Sequence, residues 1–250
     1  MRAQHDPTEI FRSPLEPLEP PAERRGSLYP RVIRKSRNAI FIDKLSPFPY
    51  KGIEMHAATL HRLYSRDVIA SRVSALAREI SQDYQGTVPL LIGVLKGSFV
   101  FMADLMRELT IPSQVDFMRL ASYGDSMESR GDITVTKDLE MSPAGRDLLV
   151  VEDIVDSGRT LNHLLKELRR RGPRSVKCCA LLDKRHRREV QITLDYVGFV
   201  MDQGFVVGYG LDWAEAFRYL PDICMVETEG IPPVDRGGSN PPGRKKRERP

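Results

Sequence analysis

The stretch LLVVEDIVDSGRT, residues 148–160, decides the fold of this chain. Its first four residues are apolar and uninterrupted, which is typical of a strand that is buried on both faces of a sheet. Beyond a turn, four leucines recur at helical spacing: Leu161, Leu164, Leu165 and Leu168. Gly172-Pro173 ends this predicted helix, and the apolar run at residues 176–182 predicts a second strand. The region is therefore a strand-helix-strand unit, which is typical of a parallel sheet.

The preceding part of the chain repeats this alternation. The predicted elements are a helix capped by Ser65 and ending before Gly86, a strand at residues 90–94, a helix at 99–109, a strand at 115–120, and a hairpin strand with Ile133 and Val135 after a polar loop at 122–131. Strands that alternate with helices indicate an α/β fold, in which helices flank a mostly parallel open sheet. The units are too few for an eightfold barrel.

The chain divides into one folded domain and two arms. Its 250 residues are 41% apolar, which suffices for one well-cored domain, and a second domain is possible but not required. Residues 1–38 are rich in Pro, Glu and Arg without apolar periodicity, and residues 230–250 have the same character. We expect both arms to be disordered and the folded domain to span residues 39–229.

The net charge of +4 comes from the C-terminal tail. One acid and five bases account for all of it: Glu248, Arg244, Lys245, Lys246, Arg247 and Arg249. Since the rest of the chain is neutral, the composition does not indicate a nucleic-acid partner, and a basic tail of this kind is usually a solvated segment.

The cysteines and the hydropathy indicate the compartment. Cys178, Cys179 and Cys224 cannot all form disulfides within one chain, which favours a reducing environment. No apolar run reaches the roughly 18 residues that a membrane span needs, and the N-terminus lacks the apolar segment of a signal peptide. We expect a cytoplasmic protein without a membrane partner.

Glu152 and Asp153 follow the apolar strand directly. In an open parallel sheet, ligands bind beyond the carboxyl ends of the strands. Two adjacent carboxylates repel each other, and a cation or a set of hydroxyl donors would relieve the repulsion. A sugar diol with a divalent metal provides both. The alternative is that the pair flanks a turn in water, as charged residues usually do.

Residues 156–160, DSGRT, open the following helix. Unpaired backbone N–H groups and the positive end of the helix dipole favour a phosphate there. Gly158 lets the backbone curl around an anion, while Ser157 and Thr160 add hydroxyl donors. Arg159 adds charge, although it is equally typical of ordinary surface. The P-loop spacing G-x-x-x-x-G-K-[ST] is absent, which argues against a P-loop nucleotidase.

Taken together, residues 152–160 resemble the phosphoribosyl pyrophosphate signature of the type I phosphoribosyltransferases. The chain from about residue 64 to 227 is similar to their hypoxanthine-guanine branch. The matching pieces are GVLKGS at 93–98, VDFMRL at 115–120 with Ser122-Tyr123, LDKR at 182–185 and FVVGYGLD at 205–212. The resemblance implies a type I fold with a small hood region and transfer of a phosphoribosyl group to N9 of hypoxanthine or guanine. It also implies a homo-oligomer, a dimer or a tetramer.

The resemblance assigns the phosphoribosyl pyrophosphate site residue by residue. Glu152 and Asp153 would bind the ribose hydroxyls and Mg²⁺, with Asp212 as a further acid beside the metal. Asp156 matches the catalytic aspartate, which exchanges a proton with purine N7. The loop at Ser157, Gly158, Arg159 and Thr160 would bind the phosphate. Lys96, Gly97 and Arg218 would bind pyrophosphate, with a cis peptide expected at Leu95-Lys96.

The resemblance also assigns the base site. Phe205 would stack on the purine, Val206 would offer backbone groups, and Lys184 would donate to O6 and so select a 6-oxopurine. Ser122 and Tyr123 would lie on a loop that closes over the site. Trp213 departs from the aromatic residue that many relatives carry there.

Two alternatives remain open at this stage. Taken singly, Lys96 and Arg218 are typical of a charged surface and Phe205 of a core, so the chain could be a regulator that binds phosphoribosyl pyrophosphate or a nucleotide while its tail contacts nucleic acid. The joint presence of Asp156, Lys184 and Phe205 counts against this. An enzyme of the same fold that acts on another base, such as xanthine, is the second alternative.

Overall fold

The computed structural model describes residues 32–34, 39–42, 58–123 and 132–228. The strands are β1 (Val32–Arg34), β2 (Ala39–Ile42), β3 (Ala58–Tyr64), β4 (Leu90–Leu95), β5 (Gln114–Tyr123), β6 (Asp132–Lys137), β7 (Asp147–Val155), β8 (Ser175–Asp183), β9 (Tyr196–Val200), β10 (Phe205–Val207) and β11 (Ile223–Thr228). The helices are α1 (Arg66–Asp83), α2 (Phe99–Glu108) and α3 (Arg159–Arg170). No helix in these ranges is long and apolar enough to cross a membrane.

The larger sheet has the strand order β6-β5-β4-β7-β8-β9. Every neighbouring pair in it is parallel except β5 and β6, which confirms the predicted mostly parallel open sheet. The chain leaves β4 toward β5 on one side and later returns to β7 on the other. The order therefore reverses between β4 and β7, and in sheets of this kind ligands bind in the crevice at that switch point.

Helices cover both faces of this sheet, and the apolar side chains of β7 alternate between the two covered faces. Leu149 and Val151 pack in the cluster that contains the buried residues of α1 and α2. Leu148 and Val150 pack in the cluster that contains the four leucines of α3. Each such fully buried side chain contributes about 1.5–3 kcal/mol relative to an exposed one, so the strand is held from both sides.

The helix boundaries follow the sequence signals closely. Ser65 caps α1, where its hydroxyl accepts a hydrogen bond of 3.3 Å from the Val68 amide, as predicted. The predicted helix at 99–109 ends one residue earlier, at Glu108. Gly172 follows α3 with a φ of 72°, a conformation that favours glycine at a helix end.

A second, antiparallel sheet with the order β1-β2-β3-β11-β10 forms the hood region that the resemblance implied. Within the N-terminal arm predicted to be disordered, the structure describes only Val32–Arg34, and these form a strand paired with β2. The rest of that arm, and the tail at 230–250, lie outside the described residues. Their disorder stays a prediction.

Candidate active site

The site lies where β4 and β7 separate. These strands pair from Leu90 and Leu148 to Gly93 and Val151, whereas β7 continues to Val155 paired with β8. A cavity of about 310 Å³, here named the switch-point cavity, opens at this point. It is lined by Val94, Leu95, Lys96, Gly97, Arg119, Leu120, Glu152, Asp153, Ile154, Asp212, Glu215 and Arg218.

Both acids of the signature reach this cavity because the alternation of β7 reverses between them. In a regular strand, neighbouring side chains point to opposite faces. Here Ile154 packs with the cluster of Leu149 and Val151, while Val155 packs with that of Leu148 and Val150. Glu152 and Asp153 lie at the reversal. They are part of the strand, so the prediction of a turn directly after Val151 was wrong, and so was the alternative of a solvated turn, since Asp153 is only 7% exposed.

The acidic pair carries an unfavourable negative charge. Burial raises the pKa of Glu152 well above its ordinary value, and the neighbouring charge of Asp153 raises it further. The loop of Lys96 and Gly97 approaches this pair very closely. A Cβ on Gly97 would lie 1.7 Å from Asp153 Oδ2, so only glycine permits the approach. The Leu95-Lys96 peptide is cis, as the resemblance implied.

The donor chemistry of this pair fits a magnesium ion. Mg²⁺ is bound through one or two carboxylates and keeps waters or substrate phosphates as its other ligands. Glu152 and Asp153 supply that number, and a cation would relieve the repulsion that raises the pKa of Glu152. In the part of the chain that the structure describes, no three His, Cys, Asp or Glu side chains are grouped to hold a metal.

Three cations line the same cavity, Lys96, Arg119 and Arg218, and the first and last of them are the two assigned to pyrophosphate. Lys96 Nζ lies 3.0 Å from Glu215 Oε1, and Arg218 Nη2 lies 2.9 Å from Asp212 Oδ1. Arg218 also donates to the Gly210 carbonyl at 2.7 Å. A Cβ on Gly210 would lie 2.3 Å from the Gly97 carbonyl oxygen, so the two loops are in direct contact. Lys96, Gly97 and Arg218 thus meet Glu152 and Asp153, although they are distant in sequence.

The predicted phosphate loop follows β7 but does not line this cavity. Gly158 precedes α3 with a φ of 82°, and a Cβ there would lie 2.8 Å from Ile192 Cδ1. The Ser157 carbonyl accepts a hydrogen bond of 3.0 Å from the Glu189 amide. Arg159 pairs with Glu189 at 2.5 Å and is otherwise exposed, as is Thr160. The segment at 188–192 thus covers one side of the loop.

Asp156 is held by two cations. Lys184 Nζ lies 3.1 Å from Asp156 Oδ2, and Arg187 Nε lies 2.8 Å from Oδ1. The Arg188 guanidinium donates to the Asp156 carbonyl at 2.7 Å. Lys184 itself is buried at the end of β8, whose neighbour is β7. The structure therefore joins the two residues assigned to purine N7 and O6, and it adds Arg187, which the sequence analysis did not find.

The remaining assigned residues lie on strands. Phe205 and Val206 belong to β10 of the hood sheet. The ring centroids of Phe205 and Trp213 lie 6.0 Å apart in a T-shaped arrangement, and Val206 is buried. Ser122 and Tyr123, predicted to lie on a loop, are the last residues of β5 and pair with Ile133 and Asp132 of β6. That prediction was wrong because the hairpin pairing extends further than the apolar residues do. Residues 124–131 lie outside the described ranges.

Comparison with known proteins gives one consistent family. Residues 61–213 match the family model described as the phosphoribosyl transferase domain. The hypoxanthine-guanine phosphoribosyltransferase of Bacillus subtilis is 47% identical over 165 residues, which are 66% of this chain and 92% of that protein. The bifunctional protein TilS/HprT of Listeria monocytogenes is 46% identical over 175 residues, and the match spans only 27% of its length.

A solved structure is similar to this chain and belongs to the same family. The crystal structure of a hypoxanthine-guanine phosphoribosyltransferase from Bacillus anthracis superposes with a TM-score of 0.64 and 42% sequence identity. The match covers 66% of this chain and 98% of that one. About a third of this chain lies outside the match.

Proposed function

The chain belongs to the phosphoribosyl transferase family, and from that premise we propose that it is an enzyme of purine salvage. In the proposed reaction, the phosphoribosyl group of phosphoribosyl pyrophosphate is transferred to N9 of hypoxanthine or guanine. The products are IMP or GMP and pyrophosphate.

The observation that carries this proposal is the switch-point cavity, which brings the acidic pair together with the two cations assigned to pyrophosphate. Glu152 and Asp153 line it together with Lys96 and Arg218. A substrate with a ribose diol beside a pyrophosphate group needs acceptors for its hydroxyls next to cations for its phosphates. The cavity offers both.

The charges also suit the transition state of the transfer. As the bond between ribose C1 and the pyrophosphate oxygen breaks, positive charge develops on the ribose and negative charge on the leaving group. Glu152 and Asp153 would stabilise the first, and Lys96 and Arg218 the second. Mg²⁺ would be held by Glu152 and Asp153 with Asp212 nearby, and when bound it neutralises part of the pyrophosphate charge.

We assign the proton transfer to Asp156. While N9 of the base forms its bond to ribose C1, the proton on N7 leaves, and the Asp156 carboxylate would accept it. Its contacts with Lys184 and Arg187 orient the carboxylate. Ser157, Gly158, Arg159 and Thr160 would bind the 5′-phosphate at the beginning of α3.

We assign base selection to Lys184, Phe205 and Val206. Lys184 can only donate hydrogen bonds. It would therefore bind a 6-oxo group, which accepts them, and select against a 6-amino group, which donates them. To reach O6, its ammonium group would share or give up its 3.1 Å contact with Asp156, which Arg187 would then hold alone. Phe205 would stack on the base and Val206 would contact its edge. Ser122 and Tyr123, at the end of β5, would help to close the site over the substrates.

The test is a direct assay. The protein is incubated with phosphoribosyl pyrophosphate, MgCl₂ and hypoxanthine, guanine or xanthine in parallel, and nucleotide formation is followed. We expect IMP or GMP, with xanthine as the poorest substrate. Absence of any nucleotide product, together with salt-sensitive nucleic-acid binding, would support the regulator instead.

Two further properties complete the proposal. The family resemblance supports a dimer or tetramer, which light scattering on the purified protein would test. The three cysteines are buried and unbridged, which supports a cytoplasmic location.

A further inference from the structure

The switch-point cavity contains an acid that has no part in the reaction proposed above, Glu215. Its Oε1 lies 3.0 Å from Lys96 Nζ, and its Oε2 lies 3.4 Å from Arg218 Nη2. It therefore contacts both of the cations assigned to pyrophosphate. We propose that Glu215 is a positioning residue that pairs with Lys96 and Arg218 before pyrophosphate binds and competes with pyrophosphate for them.

The backbone holds Glu215 in this place. Ala214, Glu215 and Phe217 have φ values of 50°, 65° and 73°, which side chains other than glycine adopt only where the surrounding structure enforces them. Trp213 and Ala216 exchange backbone hydrogen bonds of 3.1 and 2.9 Å across the turn. The Glu215 amide donates to Asp212 Oδ2 at 2.8 Å. The direction of the side chain is therefore set by the turn.

The two contacts of Glu215 are weak enough to be exchanged. The side chains of Lys96 and Glu215 are 45% and 46% exposed, and ion pairs of this kind contribute little net free energy because water screens them. A pyrophosphate group carries several negative charges and can replace a single carboxylate at both cations. Glu215 thus keeps Lys96 and Arg218 near each other before pyrophosphate binds.

The contact of Arg218 with Glu215 can also be exchanged for a ligand. Arg218 keeps Gly210 and Asp212 as partners, while its Nε is buried without a hydrogen-bond partner among the described residues. A buried donor that lacks a partner is costly. The hydrogen-bonding capacity of the guanidinium is therefore not fully used by the described residues. Exchange of Glu215 for a multiply charged ligand would compensate part of that cost.

The experiment compares the wild-type protein with Glu215→Gln, which keeps the shape of the side chain and removes its charge. Calorimetric titration with inorganic pyrophosphate and MgCl₂ should give a Kd about two- to fivefold lower in the variant, the factor expected when a half-exposed ion pair no longer competes. The KM for phosphoribosyl pyrophosphate should fall by a similar factor.

Glu79→Gln is the matched control. Glu79 lies on α1, is 51% exposed and pairs with Arg72 at 3.3 Å, so its substitution makes the same charge change outside the cavity. We expect its Kd to equal that of the wild type. Glu215→Asp, which keeps the charge on a shorter side chain, should bind pyrophosphate with a Kd between those of the wild type and Glu215→Gln. It also serves if the Gln variant does not fold.

This inference rests on the proposed function for its ligand, and the two fail in different ways. A wild-type protein that neither forms a nucleotide nor binds pyrophosphate would overturn both. A wild-type protein that forms IMP or GMP, with a Glu215→Gln variant that binds pyrophosphate equally or more weakly, would overturn the role of Glu215 alone.

Discussion

At its amino end, β7 buries Asp147, and at its carboxyl end, beyond the last pairing with β4, it carries Glu152. Arg174 Nε donates to Asp147 Oδ1 at 2.9 Å, a second guanidinium nitrogen contacts Oδ2, and the Ser175 hydroxyl donates to Oδ1 at 2.7 Å. These bonds, with that of Arg174 the strongest, lower the pKa of Asp147. The pKa of Glu152 is raised instead. The same strand thus holds one acid that stabilises the fold and another that costs stability.

The opposite pKa shifts of Asp147 and Glu152 distinguish a structural end of β7 from a ligand-binding end. A buried acid whose partners all come from the protein contributes to folding. A partly buried acid whose pKa is raised persists in a stable protein when a ligand gains from it, and strained or costly groups concentrate at such sites. Glu152 is of the second kind.

The largest effect expected at the carboxyl end is that of Asp156→Asn. The variant keeps the shape of the side chain but cannot accept a proton, so kcat should fall by about 10²- to 10⁴-fold. Steady-state kinetics would measure this, and calorimetry should find phosphoribosyl pyrophosphate binding largely unchanged. Equal losses of turnover and binding would contradict the assigned role. Asp67→Asn, at an almost fully exposed position of α1, is the control.

Gly97→Ala sharpens the comparison by placing a methyl group against Asp153. The new Cβ would lie 1.7 Å from Oδ2 and must displace the carboxylate. Misplacement of a substrate-binding group by about 1 Å can cost on the order of 100-fold, so kcat/KM for phosphoribosyl pyrophosphate should fall by about that factor. The Tm should change little because only one side chain has to move.

Gly86→Ala is the opposite control for this glycine. A Cβ at Gly86 meets nothing within 4 Å, but the φ of 78° is unfavourable for alanine. We expect a lower Tm with unchanged kinetics. If both variants lost stability and activity in the same proportion, the two properties would not be separated along the chain.

At the amino end, Asp147→Asn should destabilise the fold without affecting kinetics at neutral pH. We expect a loss of about 1–2 kcal/mol in the free energy of unfolding, from hydrogen bonds to a charged group, measured by urea denaturation. Because the folded pKa is lowered, the stabilisation is fully present above the unfolded pKa of about 3.9 and is lost as the pH falls through the folded value. The difference between variant and wild type should therefore shrink in acid.

Glu152→Gln has the smallest expected effect on stability. Whether it raises or lowers the free energy of unfolding decides whether the two ends of β7 differ in role. Removing a carboxyl group that is desolvated next to Asp153 should raise the free energy of unfolding by about 1 kcal/mol. Binding of phosphoribosyl pyrophosphate with MgCl₂ should weaken at the same time. A variant that is both less stable and unchanged in binding would mean that Glu152 is a structural residue like Asp147.

The sequence predicts the central strands and helices of the larger sheet well, because long apolar runs and helical periodicity are local patterns that can be read directly from it. The strands at 90–94 and 176–182 and the helix at 99–109 agree with β4, β8 and α2 within one residue at each end. The hood strands β3 and β11 were not predicted, since β3 contains His61 and Arg62 among its apolar residues. Its pairing with β11 joins segments that are far apart in the chain.

The site was predicted only in part, for physical reasons. Carboxylates are depleted in strands, so the continuation of β7 through Glu152 and Asp153 runs against propensity. The reversed alternation that brings both to one cavity leaves no sequence signal. The contacts of Arg187 with Asp156 and of Glu215 with Lys96 join residues 31 and 119 positions apart, so no local pattern predicts them.

The separation of β4 from β7 after Val151 also divides β7 mechanically. Among the described strands, residues 148–151 are hydrogen-bonded to a neighbour on each side, whereas residues 152–155 are paired with β8 alone. The acidic pair therefore lies on a stretch of β7 that, among the described strands, is paired on one side only, with β8. Its backbone is held by fewer ladder hydrogen bonds than that of residues 148–151 beneath it.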